Sequence, residues 1–233
     1  NIRECGAVIL ADYKRERGLR KTLVVSPEEV IADIKASGLR GRGGAGFLTG
    51  LKWDLTRQSP GTEKFVLCNA DEGEPGTFKD RVLLTERADL MIEGMTIAGY
   101  AIGAETGIIY LRGEYAYLRP YLEDVLNRRR AENLLGNGIF GNKEFHFDVR
   151  IQMGAGAYVC GEETSLISSC EGTRGDPSDR TPFPVAKGFL VSPTAVNNVE
   201  TYCCAARIME QGPGWFAAIG TARSAGTKLL SVC

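Results

Sequence analysis

The chain has 233 residues, and its 28 basic and 29 acidic side chains leave a formal net charge of −1. That balance excludes nucleic-acid binding by bulk charge, which needs a basic surplus or at least a basic face. With 43% hydrophobic and 24% charged residues, the composition is that of an ordinary globular protein of one domain, or one domain with a small appendage.

The longest apolar stretch, Leu90 to Ala104, carries Glu93 and falls short of the ~18 residues needed to span a bilayer, so no membrane span is expected. Asn1-Ile2-Arg3-Glu4 offers neither the apolar core of a signal peptide nor a starting Met, which reads as a trimmed or incomplete chain. The seven cysteines, Cys5, Cys68, Cys160, Cys170, Cys203, Cys204 and Cys233, form no C-x-x-C pair. An odd number without a secretion signal predicts reduced thiols in a cytoplasm-like compartment. The single histidine, His146, argues against His-based metal sites and a Ser-His-Asp triad, and no metal site within the chain is expected.

Residues 1–20 read as an N-terminal extension. Ser26-Pro27-Glu28-Glu29 then opens a helix with a cap, a proline at the first helical position and a capping box, and Gly38 stops it. The densest glycine segment follows, from Gly41 to Trp53, before a short buried strand, Lys64 to Cys68, that runs into the loop Asn69 to Gly76. Asp80 to Ala104 has helical spacing in two pieces. Gly107 to Arg112 reads as a second strand, Tyr115 to Leu135 as a long helix, and Phe145 to Gln152 as a third, alternating strand. A second glycine cluster, Gly154 to Gly161, leads into a helix opened by Glu162 and Glu163. After a proline-rich loop, Asn197 to Thr201 begins a helix that stops at Gly212-Pro213-Gly214, and Lys228 to Val232 reads as a last strand. Strands separated by helices, with little hairpin chemistry, predict an α/β fold on a parallel sheet whose strand ends face a crevice.

Gly41, Gly43 and Gly46 satisfy G-x-G-x-x-G, but a helix precedes them where the dinucleotide fingerprint requires a strand. A narrower inference survives: the glycines let backbone N–H groups approach a flat or anionic ligand without Cβ atoms in the way. Phe47 and Trp53 offer stacking surface, although Trp53 alone suits a core position better, and Arg42 and Lys52 offer positive charge. Asn69, Asp71, Glu72 and Glu74, with Glu162 and Glu163, place acidic groups in or beside glycine-rich turns. Such carboxylates accept from sugar hydroxyls and heterocycle N–H edges and repel phosphate. Glu162 and Glu163 equally suit a helix dipole, and Asn197 with Glu200 equally suits a self-contained cap. Arg128-Arg129-Arg130 reads as a solvated helix end, and the Cys203-Cys204 pair as packing.

Four strings are long and specific: GLRGRGGAGF at 38–47, CNADEGEPGTFKDR at 68–81, GAGAYVCGEET at 154–164 and PTAVNNVET at 193–201. Together they resemble the NADH-binding FMN flavoprotein subunit of NADH:quinone oxidoreductase (respiratory complex I) and the diaphorase subunits of NAD-reducing hydrogenases and formate dehydrogenases. Arg150 to Met153 and Ser168 to Gly172 look closer to the hydrogenase branch. The resemblance implies a Rossmann-like three-layer parallel sheet over residues 21–233, with an FMN/NADH crevice at the strand ends. It implies that Gly41, Arg42, Gly43, Gly44 and Lys52 lie against FMN, and that Asn69, Asp71 and Glu72 hold the flavin ring and ribityl chain. Tyr158, Gly161, Glu162 and Glu163 would line the other side, and Asn197, Asn198 and Thr201 would sit near the flavin phosphate. Phe47, Glu74, Glu163 and Phe183 would contact NADH. Where relatives often carry a second aromatic two residues after the counterpart of Trp53, this chain has Leu55.

The function implied is an NADH dehydrogenase module that transfers hydride from NADH to FMN and passes electrons to iron–sulfur clusters in a larger redox complex. Relatives hold a 4Fe–4S cluster in a cysteine-rich region, whose ligands are not expected in this chain. Iron–sulfur subunits are the implied partners, with no nucleic acid and no direct membrane span. The implied location is the cytoplasm or mitochondrial matrix, peripheral to a membrane in the complex I case. The rival readings are a nucleotide-binding or assembly subunit without hydride transfer, motivated by Leu55, and the NADH module of a formate dehydrogenase.

Overall fold

The computed structural model describes residues 6, 8–179 and 181–232. Helices α1 (Arg17–Thr22), α2 (Pro27–Ala36) and α3 (Thr49–Gln58) precede the first strand, β1 (Phe65–Ala70). Then come α4 (Lys79–Glu86), α5 (Ala88–Ile102), β2 (Thr106–Leu111), α6 (Arg119–Ala131), β3 (Gly136–Asn137) and β4 (His146–Met153). The chain continues through α7 (Glu163–Cys170), α8 (Pro184–Lys187), β5 (Thr194–Asn198), α9 (Val199–Gln211) and α10 (Pro213–Ala217), with a small hairpin of β6 (Gly220–Thr221) and β7 (Ser224–Ala225). The predicted capping box of α2 forms: Glu29 N–H donates to Ser26 Oγ and the Glu29 carboxylate accepts from Ser26 N–H.

The main sheet has the order β3-β4-β2-β1-β5 and is parallel except for β3. Its strands alternate in the way a sheet buried on both faces requires. Val66, Cys68, Ala70, Ile109, Leu111 and Ala195 belong to the large core, which takes in α5 and α9. Phe65, Leu67, Ile108, Tyr110 and Val196 pack on the other face against Leu166, Ile167 and Cys170 of α7 and against Phe189. This is the expected three-layer α/β arrangement. The order of strand addition reverses at β1, since β2 and β4 extend the sheet on one side of β1 and β5 lies parallel to it on the other. Open α/β sheets place their crevice at such a switch point.

The helical layer is tight because glycine permits it. A Cβ on Gly94 of α5 would lie 2.0 Å from the Tyr202 carbonyl oxygen of α9. Glu93, also on α5 and 2% exposed, accepts from the N–H groups of Glu16 (3.2 Å) and Leu19 (2.9 Å) and so fastens α1 to the core. Val8, Ile9 and Leu19, within the stretch read as an extension, are buried in the same core.

Four sequence expectations need correction. Lys228 to Val232 is irregular backbone, and the fifth strand is β5, which pairs with β1 in the register Phe65↔Thr194. Pro193 before it and the capping residues after it disguised that strand as a loop and a helix start. Asn198, not Asn197, caps α9, accepting from Glu200 N–H at 3.0 Å. The long helix starts at Arg119, with Pro120 in its first turn where a missing N–H costs nothing, and Gly113–Leu118 is a 3₁₀ segment. Arg129 is fully buried, its guanidinium 2.7 Å from Glu16 Oε1 and 3.2 Å from Asp89 Oδ1, so only its neighbours form the solvated end. Cys68, Cys160, Cys170, Cys203 and Cys204 are buried and unbridged, while Cys5 and Cys233 lie outside the described residues.

Candidate functional site

A cleft of about 640 Å³ opens at the C-terminal ends of β1 and β5, a size within the ~300–1,000 Å³ of small-molecule sites. Four separated segments converge on it: the glycine loop 41–47, the end of β1 at Asn69, β5 from Thr194 to Asn198, and the turn at Gly161 to Glu163. Phe183, Pro184 and Val185 at the start of α8, with Leu55 of α3, complete an apolar side.

The glycine loop is an excursion closed at its base. Gly41 N–H donates to the Phe47 carbonyl at 2.8 Å, and Arg40 bridges to Leu48. Gly44 has φ +133° and Gly46 φ +65°, values that side chains with a Cβ rarely adopt, and a Cβ at either would touch no atom of the chain. Backbone therefore faces the cleft with nothing standing in front of it. Phe47 is 45% and Phe183 56% exposed, leaving both rings free for stacking.

The strand ends hold the acceptors and donors. Asn69 Nδ2 donates to the Gly161 carbonyl (2.8 Å), joining β1 to the second glycine cluster, while its Oδ1 accepts from Asp71 N–H (3.1 Å). Asn197 Oδ1 accepts from the indole N–H of Trp53 at 3.0 Å, which fixes the asparagine and places Trp53, fully buried, in the core. Lys52 Nζ donates to the Val196 carbonyl (2.9 Å) and lies 3.3 Å from Glu163 Oε2, so the cleft holds a paired charge. Glu162 caps α7, accepting from Thr164 N–H at 2.8 Å and Ser165 N–H at 3.2 Å.

Of the residues singled out from sequence, Gly41, Gly43, Gly44, Gly46, Phe47, Lys52, Leu55, Asn69, Gly161, Glu162, Glu163, Phe183, Asn197 and Asn198 line the cleft. The others do not line it. Arg42 is 7% exposed, and its guanidinium donates to the carbonyls of Arg40, Ala225 and Thr227. Its N–H donates to Thr201 Oγ1 (3.0 Å), so both residues tie the glycine loop to α9. The Glu72 carboxylate accepts from Asp80 N–H (2.7 Å), Arg81 N–H (3.1 Å) and the Tyr115 hydroxyl (2.9 Å), so it fastens the start of α4. Tyr158 and Glu74 are exposed and joined by a 2.7 Å hydrogen bond.

Asp71 sits behind the wall formed by Gly161, where a Cβ would come within 3.4 Å of the Asp71 carbonyl. The residue is 7% exposed and its Oδ2 has no hydrogen-bond partner among the described residues. Burial pushes this carboxyl up to about 6, against the pull of the Arg112 guanidinium.

Sequence reasoning missed Lys79 and Asp80, and read Glu200 only as the far half of a cap. Their signal was present: Glu200 lies in the first turn of a helix with a mainly apolar start, and Lys79-Asp80 begins another beside the acidic loop. Among the described residues no group of three or more His, Cys, Asp or Glu could hold a metal ion, and no helix is long and apolar enough to cross a membrane.

Residues 34–207 match the family described as the Nuo51 FMN-binding domain. The chain is 57% identical over 233 residues to the NAD-reducing hydrogenase HoxS subunit alpha of Cupriavidus necator, covering 100% of this chain and 39% of that one. Against an NADH-quinone oxidoreductase subunit of Rhizobium meliloti the identity is 48% over 214 residues, 91% of this chain and 51% of its relative. A solved NAD+-reducing NiFe hydrogenase in its H2-reduced state superposes with a TM-score of 0.82 at 45% identity, over 92% of this chain and 35% of that chain. The chain thus spans 39% to 51% of the length of these two curated relatives. With three quarters of its length inside the matched segment, it belongs to the Nuo51 FMN-binding domain family.

Proposed function

We propose that this chain binds FMN and NADH together in the cleft and transfers hydride from the nicotinamide to the flavin, as the diaphorase portion of a longer subunit. The assembly it serves would be a NAD-reducing hydrogenase or an NADH:quinone oxidoreductase, with iron–sulfur subunits as partners. Its place would be the cytoplasm or mitochondrial matrix, beside the membrane in the second case. The observation that carries this reading is the convergence of the glycine loop, the β1 and β5 ends and the 161–163 turn on one cleft at the sheet's switch point.

The residues fit a flavin nucleotide. A planar ring needs an approach free of Cβ atoms, which Gly44 and Gly46 supply. A polyol and a ring N–H need acceptors, and Asn69 and Glu163 put side-chain oxygens on the cleft wall. FMN, when bound, supplies the hydride acceptor and a route for releasing electrons singly. The chain's own work is then positional. Phe47 and Phe183 offer faces for the nicotinamide or adenine, and Val196, Pro184, Val185 and Leu55 exclude water along one wall. Lys52, held by Glu163 and the Val196 carbonyl, cannot swing into the ring's place. Hydride leaves with its electron pair, so no side chain needs to act as a base, and the rate gain comes from holding two rings at near-attack separation.

The test is reconstitution. Protein incubated with FMN and freed of excess by gel filtration should be yellow, and anaerobic NADH should bleach it. Colourless protein, or yellow protein indifferent to NADH, would favour the nucleotide-binding or assembly reading.

A further inference from the structure

Beneath the β5 end of the cleft lies a buried charged cluster that the hydride chemistry does not use. The Lys79 ammonium is 2.7 Å from Asp80 Oδ1, 3.0 Å from Glu200 Oε2 and 3.1 Å from Asn198 Oδ1. Arg42 Nε approaches Glu200 Oε1 at 3.9 Å. The side chains of Lys79, Asp80, Glu200 and Arg42 are 13%, 4%, 1% and 2% exposed. Buried ion pairs seldom repay their desolvation in stability, so the geometry they impose is the more informative property.

That geometry falls on Asn198, which lines the cleft. Its Oδ1 accepts from Lys79 Nζ (3.1 Å) and from Glu200 N–H (3.0 Å), and its Nδ2 donates to Asp80 Oδ2 (2.7 Å). A side-chain amide has two lone pairs on oxygen and two hydrogens on nitrogen. Both lone pairs are engaged and one hydrogen is engaged, so what Asn198 has left for a ligand is a single N–H. An amide flip is closed off from both ends: it would turn the NH2 group toward the Lys79 cation and the oxygen toward the Asp80 carboxylate.

We propose that Lys79, Asp80 and Glu200 are positioning residues that make Asn198 a donor-only group at the cleft, matched to an acceptor oxygen of the bound flavin nucleotide. The proposal rests on the reading of the cleft as the FMN site. Without Lys79 the amide loses one of the contacts that oppose a flip and presents its oxygen to the ligand's oxygen for part of the time. Glu200 contributes from two directions, since its Oε1 also accepts from Leu229 N–H at 2.9 Å and holds the 225–231 segment over the cluster.

A double-mutant cycle read by FMN affinity tests this, using flavin fluorescence quenching on the 233-residue protein. Lys79→Met should weaken FMN binding about tenfold or more in the wild-type background and less than about twofold in an Asn198→Ala background, because the residue acts through the amide. Lys79→Arg, which keeps the cation, should restore most of the affinity. Glu200→Gln replaces Lys79→Met in the cycle should the latter fail to fold, with the same expectation of a loss confined to the Asn198 background. Equal losses in both backgrounds, or no loss in a folded Lys79 or Glu200 variant, would overturn the proposal while leaving the FMN site standing. Wild-type protein that binds no FMN would overturn both together. A purely structural role would lower the melting temperature and add to Asn198→Ala rather than vanish in it.

Discussion

Two buried carboxylates mark the difference between the two sides of the sheet. Glu93, in the helical layer, is pushed up to about 7 by burial and by the Glu16 carboxylate, yet both its oxygens accept backbone N–H groups that begin α1. Asp71, behind the cleft, is pushed up to about 6, and one of its oxygens has no hydrogen-bond partner among the described residues. The same chemical group completes the fold in one place and is left incomplete in the other. A buried acceptor without a donor costs roughly 1–3 kcal/mol. The comparison also holds for glycine, since Gly94 is demanded by a neighbouring backbone and Gly43, Gly44 and Gly46 border the open cleft.

The glycine contrast gives the largest expected effects. Gly94→Ala drives a methyl group into the Tyr202 carbonyl, a contact of 2.0 Å between two backbones that cannot both move. A loss of about 3 kcal/mol or more is expected, at the upper end of overpacking, and a melting temperature within a few degrees of wild type would show the α5–α9 contact to be softer than drawn. Gly43→Ala should do the opposite. Its Cβ would meet only the Asn198 Cβ, at an ordinary 3.4 Å, so the fold should hold or gain slightly from a stiffer unfolded chain. FMN affinity should nevertheless fall by roughly tenfold or more, because the methyl narrows the gap between the glycine loop and Asn198. Undiminished affinity would mean that the loop does not touch the ligand.

The helical side was also the more legible in the sequence. Ser26, Pro27 and Glu29 announce α2 because capping is local chemistry, and the apolar spacing of residues 88–102 announces α5 because burial repeats with the helix turn. Two strands were readable as short apolar runs. β5 was not, since Thr194 to Asn198 becomes a strand only by pairing with β1, and its asparagines carry cap chemistry that speaks for a helix. The glycine strings and the turn at 161–163 pointed to the cleft, because a site that needs bare backbone needs glycine whatever the surrounding fold. The roles of Arg42, Glu72 and Thr201 were not readable. Each is polar and sits in a motif, yet its partners, at Ala225, Asp80 and Arg42, are set by tertiary contact. Arg129 failed for the same reason, since nothing near it in sequence names Glu16 as its partner.

The smallest effect sharpens the carboxylate comparison most directly. The folded-state value of Asp71, about 6, lies above its ordinary 3.8. The native protein therefore binds a proton there more readily than the unfolded chain does, and this group adds stability as pH falls through 6 toward 4. Above that window the ionised carboxylate is a burden, which Asp71→Asn removes. The ligand-free variant should be more stable than wild type by about 1 kcal/mol at pH ~8, once solvent screening is allowed for, and the advantage should close toward pH ~4. FMN affinity should change little in the same variant, because Asp71 lies behind the cleft wall rather than on it. Denaturant midpoints of both proteins across that pH range, with FMN titrations alongside, measure the two effects independently. A stability difference that stayed constant with pH would mean that Asp71 is already satisfied in the free protein, and the contrast with Glu93 would disappear.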